Sequence, residues 1–102
     1  MPRGSYLINV ARGALIDETA LLAALRSGHL AGAALDVFDP EPPMINHPLF
    51  TLPNTICTPH IASYTTASVR RMHVVACEQV ASALRGERPT NLVNAEVWGR
   101  QQ

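Results

Sequence analysis

The stretch Tyr6-Leu7-Ile8-Asn9-Val10-Ala11-Arg12-Gly13 decides the fold of this chain. Residues 6–10 form a short apolar run bounded by Gly4 and Gly13, and such a run predicts a strand buried on both faces. Strands of this kind are typical of parallel sheets that carry helices on both sides. Arg12 follows the strand directly, so we expect a charged side chain at its carboxyl end.

A helix and a second strand follow this run. Asp17 is a suitable N-cap, Leu21 and Leu25 have helical spacing, and Gly28 predicts the end of the helix. Residues 33–38, with the sequence AALDVF, predict the second strand. A strand, a helix and a strand in this order imply a right-handed parallel crossover.

The remaining chain predicts a loop, a third strand and a long helix. Five prolines between residues 39 and 54 exclude regular structure, and a loop this long in a compact domain is usually functional. Residues 54–58 predict the third strand, and residues 65–85 predict a helix that Gly86 ends. The fold class is therefore α/β, with three parallel strands and flanking helices.

Size and composition exclude several kinds of partner. The chain has 102 residues, enough for one domain with a modest core, and its formal net charge of zero supplies no positive field for nucleic acid. Asn9 and Arg12 interrupt the first apolar stretch before it reaches the length of a membrane span or signal peptide. Two cysteines are too few for a disulfide framework. We therefore predict a cytoplasmic protein that binds neither nucleic acid nor a membrane.

Three side chains with catalytic chemistry follow three successive strands: Arg12, Glu41 and His60. The carboxyl ends of parallel strands lie at one edge of a sheet, so we expect an active site there. The planar fork of Arg12 suits a carboxylate or a carbonyl oxygen. Histidine is the side chain best suited to donate or accept a proton near neutral pH, so His60 is a candidate acid–base residue.

Each of these residues also has a structural interpretation. Arg12 alone could be a surface arginine beside a glycine turn, and His60 could cap a turn. Glu41 is either solvated or held rigidly by its flanking prolines, where its charge would stabilise an imidazolium. Asp36 needs a hydrogen bond from backbone or ligand, because an unpaired carboxylate in an apolar strand is costly. Cys57-x-x-His60 lacks a second pair of ligands, so we predict no metal site.

Three segments resemble, in order and in rough spacing, the successive motifs of the D-isomer-specific 2-hydroxyacid dehydrogenases. They are residues 9–13, residues 36–42 and residues 58–62, and the resemblance extends from about Gly4 to Leu92. It implies a partial Rossmann-type sheet and an oxidoreductase that transfers hydride between NAD(P)H and a small 2-oxo acid such as glyoxylate or hydroxypyruvate.

The resemblance also implies a role for each candidate residue. His60 would be the acid–base residue, Glu41 its carboxylate partner, and Arg12 the group that binds the carboxylate and oxo group of the substrate. Asp36 would contact the carboxamide of the nicotinamide. The cofactor, NAD or NADP, would be contacted by Val10, Ala11, Arg12, Asp36, His60, Ile61 and Ala62.

The domain organisation follows from the same resemblance. Residues 1–92 correspond to the C-terminal portion of a dinucleotide-binding domain, with a long return helix at 65–86, and residues 93–102 are a tail. The glycine-rich phosphate motif and the acidic residue that binds the ribose are missing from the sequence. We therefore expect a fragment that is inactive by itself. A strand edge without its neighbour favours association, so we also expect a homodimer.

Two other functions are compatible with these residues. One is an NAD(H)-sensing binding protein, similar to the corepressors that resemble dehydrogenases. The other is a truncated oligomerisation module that keeps the helix at 65–85 as its interface. Turnover of a 2-oxo acid by the full-length protein distinguishes an enzyme from an NAD(H)-sensing protein. Sedimentation of the isolated chain tests whether it is an oligomerisation module.

Overall fold

The computed structural model describes residues 1–100, in which there are three strands and two α-helices. The strands are β1 (Ser5–Asn9), β2 (Leu30–Leu35) and β3 (Thr55–Cys57), and the helices are α1 (Glu18–Arg26) and α2 (Thr66–Leu84). Short 3-10 helices cover Gly13–Leu15, Pro48–Thr51 and Ala95–Arg100. The chain divides between residues 62 and 63 into two compact units, and each is described by itself.

The first unit is built on a parallel sheet with the strand order β1-β2-β3. Asn9 pairs with Leu35, and Leu35 pairs with Cys57, so the last residues of the three strands form one row. The residues that follow each strand therefore emerge at the same edge of the sheet. The predicted three-stranded parallel sheet is confirmed.

Helix α1 covers one face of this sheet. Asp17 caps it, with Oδ1 accepting a hydrogen bond from the Ala20 N–H at 3.0 Å, and such a cap contributes about 1 kcal/mol. The helix ends before Gly28, which adopts a left-handed φ of 64°. Leu21 and Leu25 are buried in the core. The other buried apolar residues are Leu30, Ala33, Leu35, Val37, Phe38 and Leu49.

Two details of the sheet differ from the prediction. Strand β2 covers residues 30–35 instead of 33–38, because Asp36 leaves the strand and its carboxylate bonds to the loop after β3. The second difference concerns β1, which was predicted to be buried on both faces. Tyr6 and Ile8 are each 71% exposed, because α1 packs against the opposite face only.

The second unit begins at Ser63 and contains α2. Thr65 and Ser68 form a capping box at its first turn, which confirms the predicted start of the helix within one residue. Apolar side chains of this helix are exposed, among them Met72, Val80 and Leu84, and Leu84 is 84% accessible. The last two residues of the predicted tail, 101 and 102, lie outside the described residues. No helix among residues 1–100 has both the length and the apolar character that a bilayer span requires.

Candidate active site

His60 and Glu41 form a hydrogen-bonded pair at the carboxyl edge of the sheet. His60 Nδ1 lies 3.0 Å from Glu41 Oε2, and Glu41 Oε1 accepts a hydrogen bond from the Phe38 N–H, also at 3.0 Å. An ionised carboxylate only accepts, so Nδ1 carries the hydrogen and Nε2 is left to contact a ligand. Both side chains are partly exposed, which gives a ligand access to the ring.

The surroundings of Glu41 keep it ionised. The Phe38 N–H lowers the pKa of Glu41 most, and the hydrogen bond from His60 and the charges of His60 and Arg12 lower it further. Because the pKa of Glu41 is lower in the folded than in the unfolded chain, the contacts of the ionised Glu41 carboxylate stabilise the fold fully above the ordinary glutamate pKa. That stabilisation is lost as the pH falls through the lowered value.

Asn9 fixes the turn that carries Arg12. Its Oδ1 accepts a hydrogen bond from the Ala11 N–H at 3.1 Å, and its Nδ2 donates to the Arg12 carbonyl oxygen at 2.8 Å. Arg12 itself is exposed, and Nη1 donates to the Ala11 carbonyl oxygen at 2.6 Å. The turn is therefore ordered by a buried amide, while the guanidinium remains at the surface.

Asp36 holds the loop that contains His60. Its Oδ1 accepts hydrogen bonds from the Thr58 hydroxyl at 2.5 Å and from the Ile61 N–H at 2.8 Å, and its Oδ2 accepts from the Ala62 N–H at 2.8 Å. Burial raises the pKa of Asp36, but these hydrogen bonds and the charge of His60 lower it below its ordinary value. The predicted bonding of Asp36 to the backbone is confirmed. The expected contact of Asp36 with a nicotinamide stays a prediction.

His60 has an unusual backbone conformation, with a left-handed φ of 55°. This region costs a residue with a Cβ roughly 1–2 kcal/mol. The His60 N–H donates to the Asp36 carbonyl oxygen at 2.9 Å, so Asp36 holds the loop through its main chain as well as through its carboxylate. These contacts offset the strain and fix the direction of the imidazole.

A cleft of about 530 Å³ opens beside the pair, which is the size of a small-molecule site. Glu41 and His60 supply polar groups to its wall, and most of the remaining wall is apolar. The lining residues are Asp36, Phe38, Glu41, Pro42, Pro43, Phe50, Cys57, Thr58, Pro59 and His60. Burial raises the pKa of the Cys57 thiol, so Cys57 is a neutral part of the wall.

The structure therefore brings the predicted residues to one edge of the sheet, and two further residues contribute to the site. Arg12, Glu41 and His60 follow the aligned ends of the three strands. Asn9 and Thr58 were not identified as contributors to the site. Asn9 carried a local signal, because an asparagine at a strand end often bonds to the backbone two residues further on. The bond from Thr58 to Asp36 spans 22 residues and has no such signal.

Gly13 allows the Arg12 turn to approach the chain after β2, and we expect Gly13→Ala to destabilise the chain by about 1–3 kcal/mol. A Cβ at this position would overlap the carbonyl carbon and oxygen of Phe38, and backbone atoms cannot move aside as a flexible side chain can. Urea denaturation of the 102-residue chain measures the change. The control is Leu15→Ala, because Leu15 is 71% exposed. Equal stability of the two variants would contradict the close approach.

Comparison with known proteins gives a consistent result. Residues 1–62 match the family model described as D-isomer specific 2-hydroxyacid dehydrogenase, NAD binding domain. The chain is 48% identical over 97 residues to a glyoxylate reductase of Thermofilum pendens, covering 95% of this chain and 29% of that protein. It is 42% identical over 99 residues to a glyoxylate/hydroxypyruvate reductase B of Citrobacter koseri, covering 97% and 31%.

Solved structures with the same fold agree with these matches. The TT0316 protein of Thermus thermophilus has a TM-score of 0.82 and 53% identity, covering 91% of this chain and 30% of that one. A D-isomer specific 2-hydroxyacid dehydrogenase of Xanthobacter autotrophicus, in complex with NADPH and MES, has a TM-score of 0.78 and 43% identity, covering 96% and 40%. The chain spans only 29% to 31% of the length of the two curated relatives.

Proposed function

Because the chain belongs to the D-isomer specific 2-hydroxyacid dehydrogenase family, we propose that it supplies the acid–base residues of a site that transfers hydride between NAD(P)H and a small 2-oxo acid. The observation that carries the proposal is the His60–Glu41 hydrogen bond, which lies at the same edge of the sheet as the turn that carries Arg12. The names of the two curated relatives favour glyoxylate or hydroxypyruvate as the substrate.

The residues at this edge fit a nicotinamide cofactor. Val10 directly follows β1 and Ile61 directly follows His60, and both are exposed apolar side chains that offer a surface for a flat ring. The residues proposed to hold the cofactor are Val10, Ala11, Arg12, Asp36, His60, Ile61 and Ala62. The N–H groups of Ile61 and Ala62 already bond to Asp36, so these two residues would contact the ring through other atoms. NADPH in the related Xanthobacter structure and the NAD binding domain model support either NAD or NADP.

The proposed mechanism assigns one task to each side chain. When bound, the reduced nicotinamide supplies a hydride to the second carbon of the substrate. Arg12 binds the carboxylate of the 2-oxo acid through its paired N–H donors. His60 donates a proton from Nε2 to the carbonyl oxygen, which becomes the hydroxyl group of the product. Glu41 orients the ring through Nδ1 and stabilises its positive charge before the proton is transferred.

The direct test uses the full-length protein with glyoxylate or hydroxypyruvate as the substrate. The oxidation of NADH or of NADPH is measured by the change in its absorbance. We expect turnover with at least one combination of cofactor and 2-oxo acid, and no turnover when the 2-oxo acid is omitted. Tight binding of the nucleotide without oxidation by any 2-oxo acid would contradict the enzyme and support the NAD(H)-sensing protein. The comparisons favour the enzyme, because both curated relatives are named as reductases.

Glu41→Gln should lower the whole pH profile of kcat/KM for 2-oxo acid reduction about tenfold. Glutamine keeps the shape of the side chain but removes the charged acceptor that orients the His60 ring through Nδ1, and a hydrogen bond to a charged group contributes about 1.5–3 kcal/mol. Values of kcat/KM measured across the neutral range report the loss. A profile equal to that of the wild type would leave Glu41 as a turn residue.

The control for this variant is Glu78→Gln, because Glu78 is an exposed residue of α2. It should leave the pH profile unchanged. A second readout follows from the lowered pKa of Glu41. The wild-type chain should lose stability as the pH falls through that lowered value, and Glu41→Gln should lose less.

The remaining parts of the proposal concern organisation. We propose that residues 1–92 form the C-terminal portion of a dinucleotide-binding domain, that the protein is cytoplasmic, and that it is a homodimer. The exposed apolar side chains of Tyr6, Ile8 and Ile56 support association. Sedimentation of the isolated chain is the test, and a species of 11.0 kDa at all concentrations would contradict the dimer of this chain.

A further inference from the structure

Asn9 connects three parts of the candidate site. It is the last residue of β1 and is only 7% exposed. Both ends of its amide bond to the Arg12 turn, one to the Ala11 N–H and the other to the Arg12 carbonyl oxygen. Its main-chain carbonyl oxygen accepts a hydrogen bond from the Asp36 N–H at 3.0 Å. One residue therefore fixes the strand end, the arginine turn and the start of the next loop.

The amide of Asn9 matches both partners in this turn, because its oxygen and its nitrogen are separate atoms that bond at the same time. The turn presents one N–H and one carbonyl oxygen, so the side chain that fills it must accept and donate at the same time. Aspartate would accept from Ala11 but would direct a second oxygen at the Arg12 carbonyl oxygen, where Asn9 Nδ2 lies at 2.8 Å. Alanine would leave the Ala11 N–H and the Arg12 carbonyl oxygen without their partner in the protein, so both part-buried hydrogen bonds of the turn would be lost.

We propose that Asn9 is a positioning residue for substrate binding, because it holds the backbone of residues 10–12 in the conformation that presents the Arg12 guanidinium. The inference rests on the proposed function, in which Arg12 binds the carboxylate of a 2-oxo acid. Asn9 does not touch the substrate, and it acts through the arginine. Loss of Asn9 should therefore reproduce part of the effect of losing the guanidinium.

The first experiment measures steady-state kinetics of the full-length protein. Asn9→Ala and Asn9→Asp should each raise KM for the 2-oxo acid about tenfold, the loss expected when a hydrogen bond of the turn is removed, and leave KM for the cofactor unchanged. Asn9→Ser keeps an acceptor for the Ala11 N–H. Its KM for the 2-oxo acid should therefore lie between those of these variants and that of the wild type. In an Arg12→Lys background, Asn9→Ala should have a much smaller effect, since both changes remove the same interaction.

Asn54→Ala is the matched control. Asn54 also bonds to main-chain carbonyl oxygens, those of Leu25 and Ala31, but it precedes β3 and so lies at the opposite edge of the sheet. It should leave KM for the 2-oxo acid unchanged. Two results for Asn9→Ala would overturn the positioning role. One is an equal increase in KM for the 2-oxo acid and in KM for the cofactor, and the other is the same increase in KM for the 2-oxo acid with and without Arg12→Lys.

A second experiment needs no activity. In NMR spectra of the 102-residue chain, the Ala11 amide hydrogen should exchange with solvent at least tenfold faster in Asn9→Ala than in the wild type, since its acceptor is removed. Unchanged exchange would overturn the inference even if the enzyme is active. If no 2-oxo acid is reduced but exchange accelerates, the proposed function fails, while the hold of Asn9 on the turn is supported.

Discussion

His60→Asn should lower the turnover number by about two to four decades, the usual contribution of general acid–base catalysis, and should leave cofactor affinity largely unchanged. Asparagine cannot exchange a proton near neutral pH. This substitution removes the proton-transferring group with little disturbance of the loop. Asparagine tolerates the left-handed φ of 55° that His60 adopts.

The measurement combines steady-state kinetics of the full-length protein with calorimetric titration of NADH or NADPH. His73→Asn is the control, because His73 is exposed on α2 and lies in the other compact unit. It should change neither turnover nor cofactor binding. If His60→Asn weakened cofactor binding by the same factor as turnover, His60 would be a structural histidine, and the proposed mechanism would lose its proton donor.

Arg12→Lys should lower kcat/KM for the 2-oxo acid about 10- to 100-fold, as expected for loss of a hydrogen bond to a charged group. The positive charge is kept, so the loss would come from geometry alone. Guanidinium presents paired N–H donors that match a carboxylate, whereas the lysine ammonium is a single point charge on a flexible stem. The effect should appear mainly in the KM of the 2-oxo acid.

Arg26→Lys provides the matched control for this prediction. Arg26 is an exposed residue in the last turn of α1, and its replacement keeps the charge in the same way. Kinetics of the two variants, measured side by side with one 2-oxo acid, separate a specific effect from a general one. Near wild-type turnover and substrate affinity in Arg12→Lys would remove Arg12 from the site.

The parts of the fold that depend on neighbours in sequence were predictable. Asp17 and Thr65 cap helices through bonds to residues three positions later, and such short-range bonds can be recognised in the sequence. The order of the three strands followed from the crossover through α1. The motifs placed Arg12, Glu41 and His60 at one edge, and the structure adds the bond between Glu41 and His60. Their catalytic roles stay predictions.

The parts that depend on distant residues were not predictable from one sequence. Asp36 was assigned to a strand, because an apolar run does not show where its polar member will bond. The partners that draw it out of the sheet, Ile61 and Ala62, follow 25 and 26 residues later. The exposed face of β1 has a similar cause. An apolar strand shows that burial is favoured, but which face a helix covers depends on how the whole chain packs.

The left-handed backbone at His60 limits how this site can be redesigned. Glycine, asparagine and aspartate enter that region at low cost, whereas glutamate, lysine or tyrosine would carry the strain as well as a new side chain. A library that exchanges the proton donor at position 60 alone would therefore select against most alternative acids for conformational reasons. A different acid would have to come from a neighbouring position with ordinary backbone geometry, or the Asp36 contacts would have to be rebuilt with it.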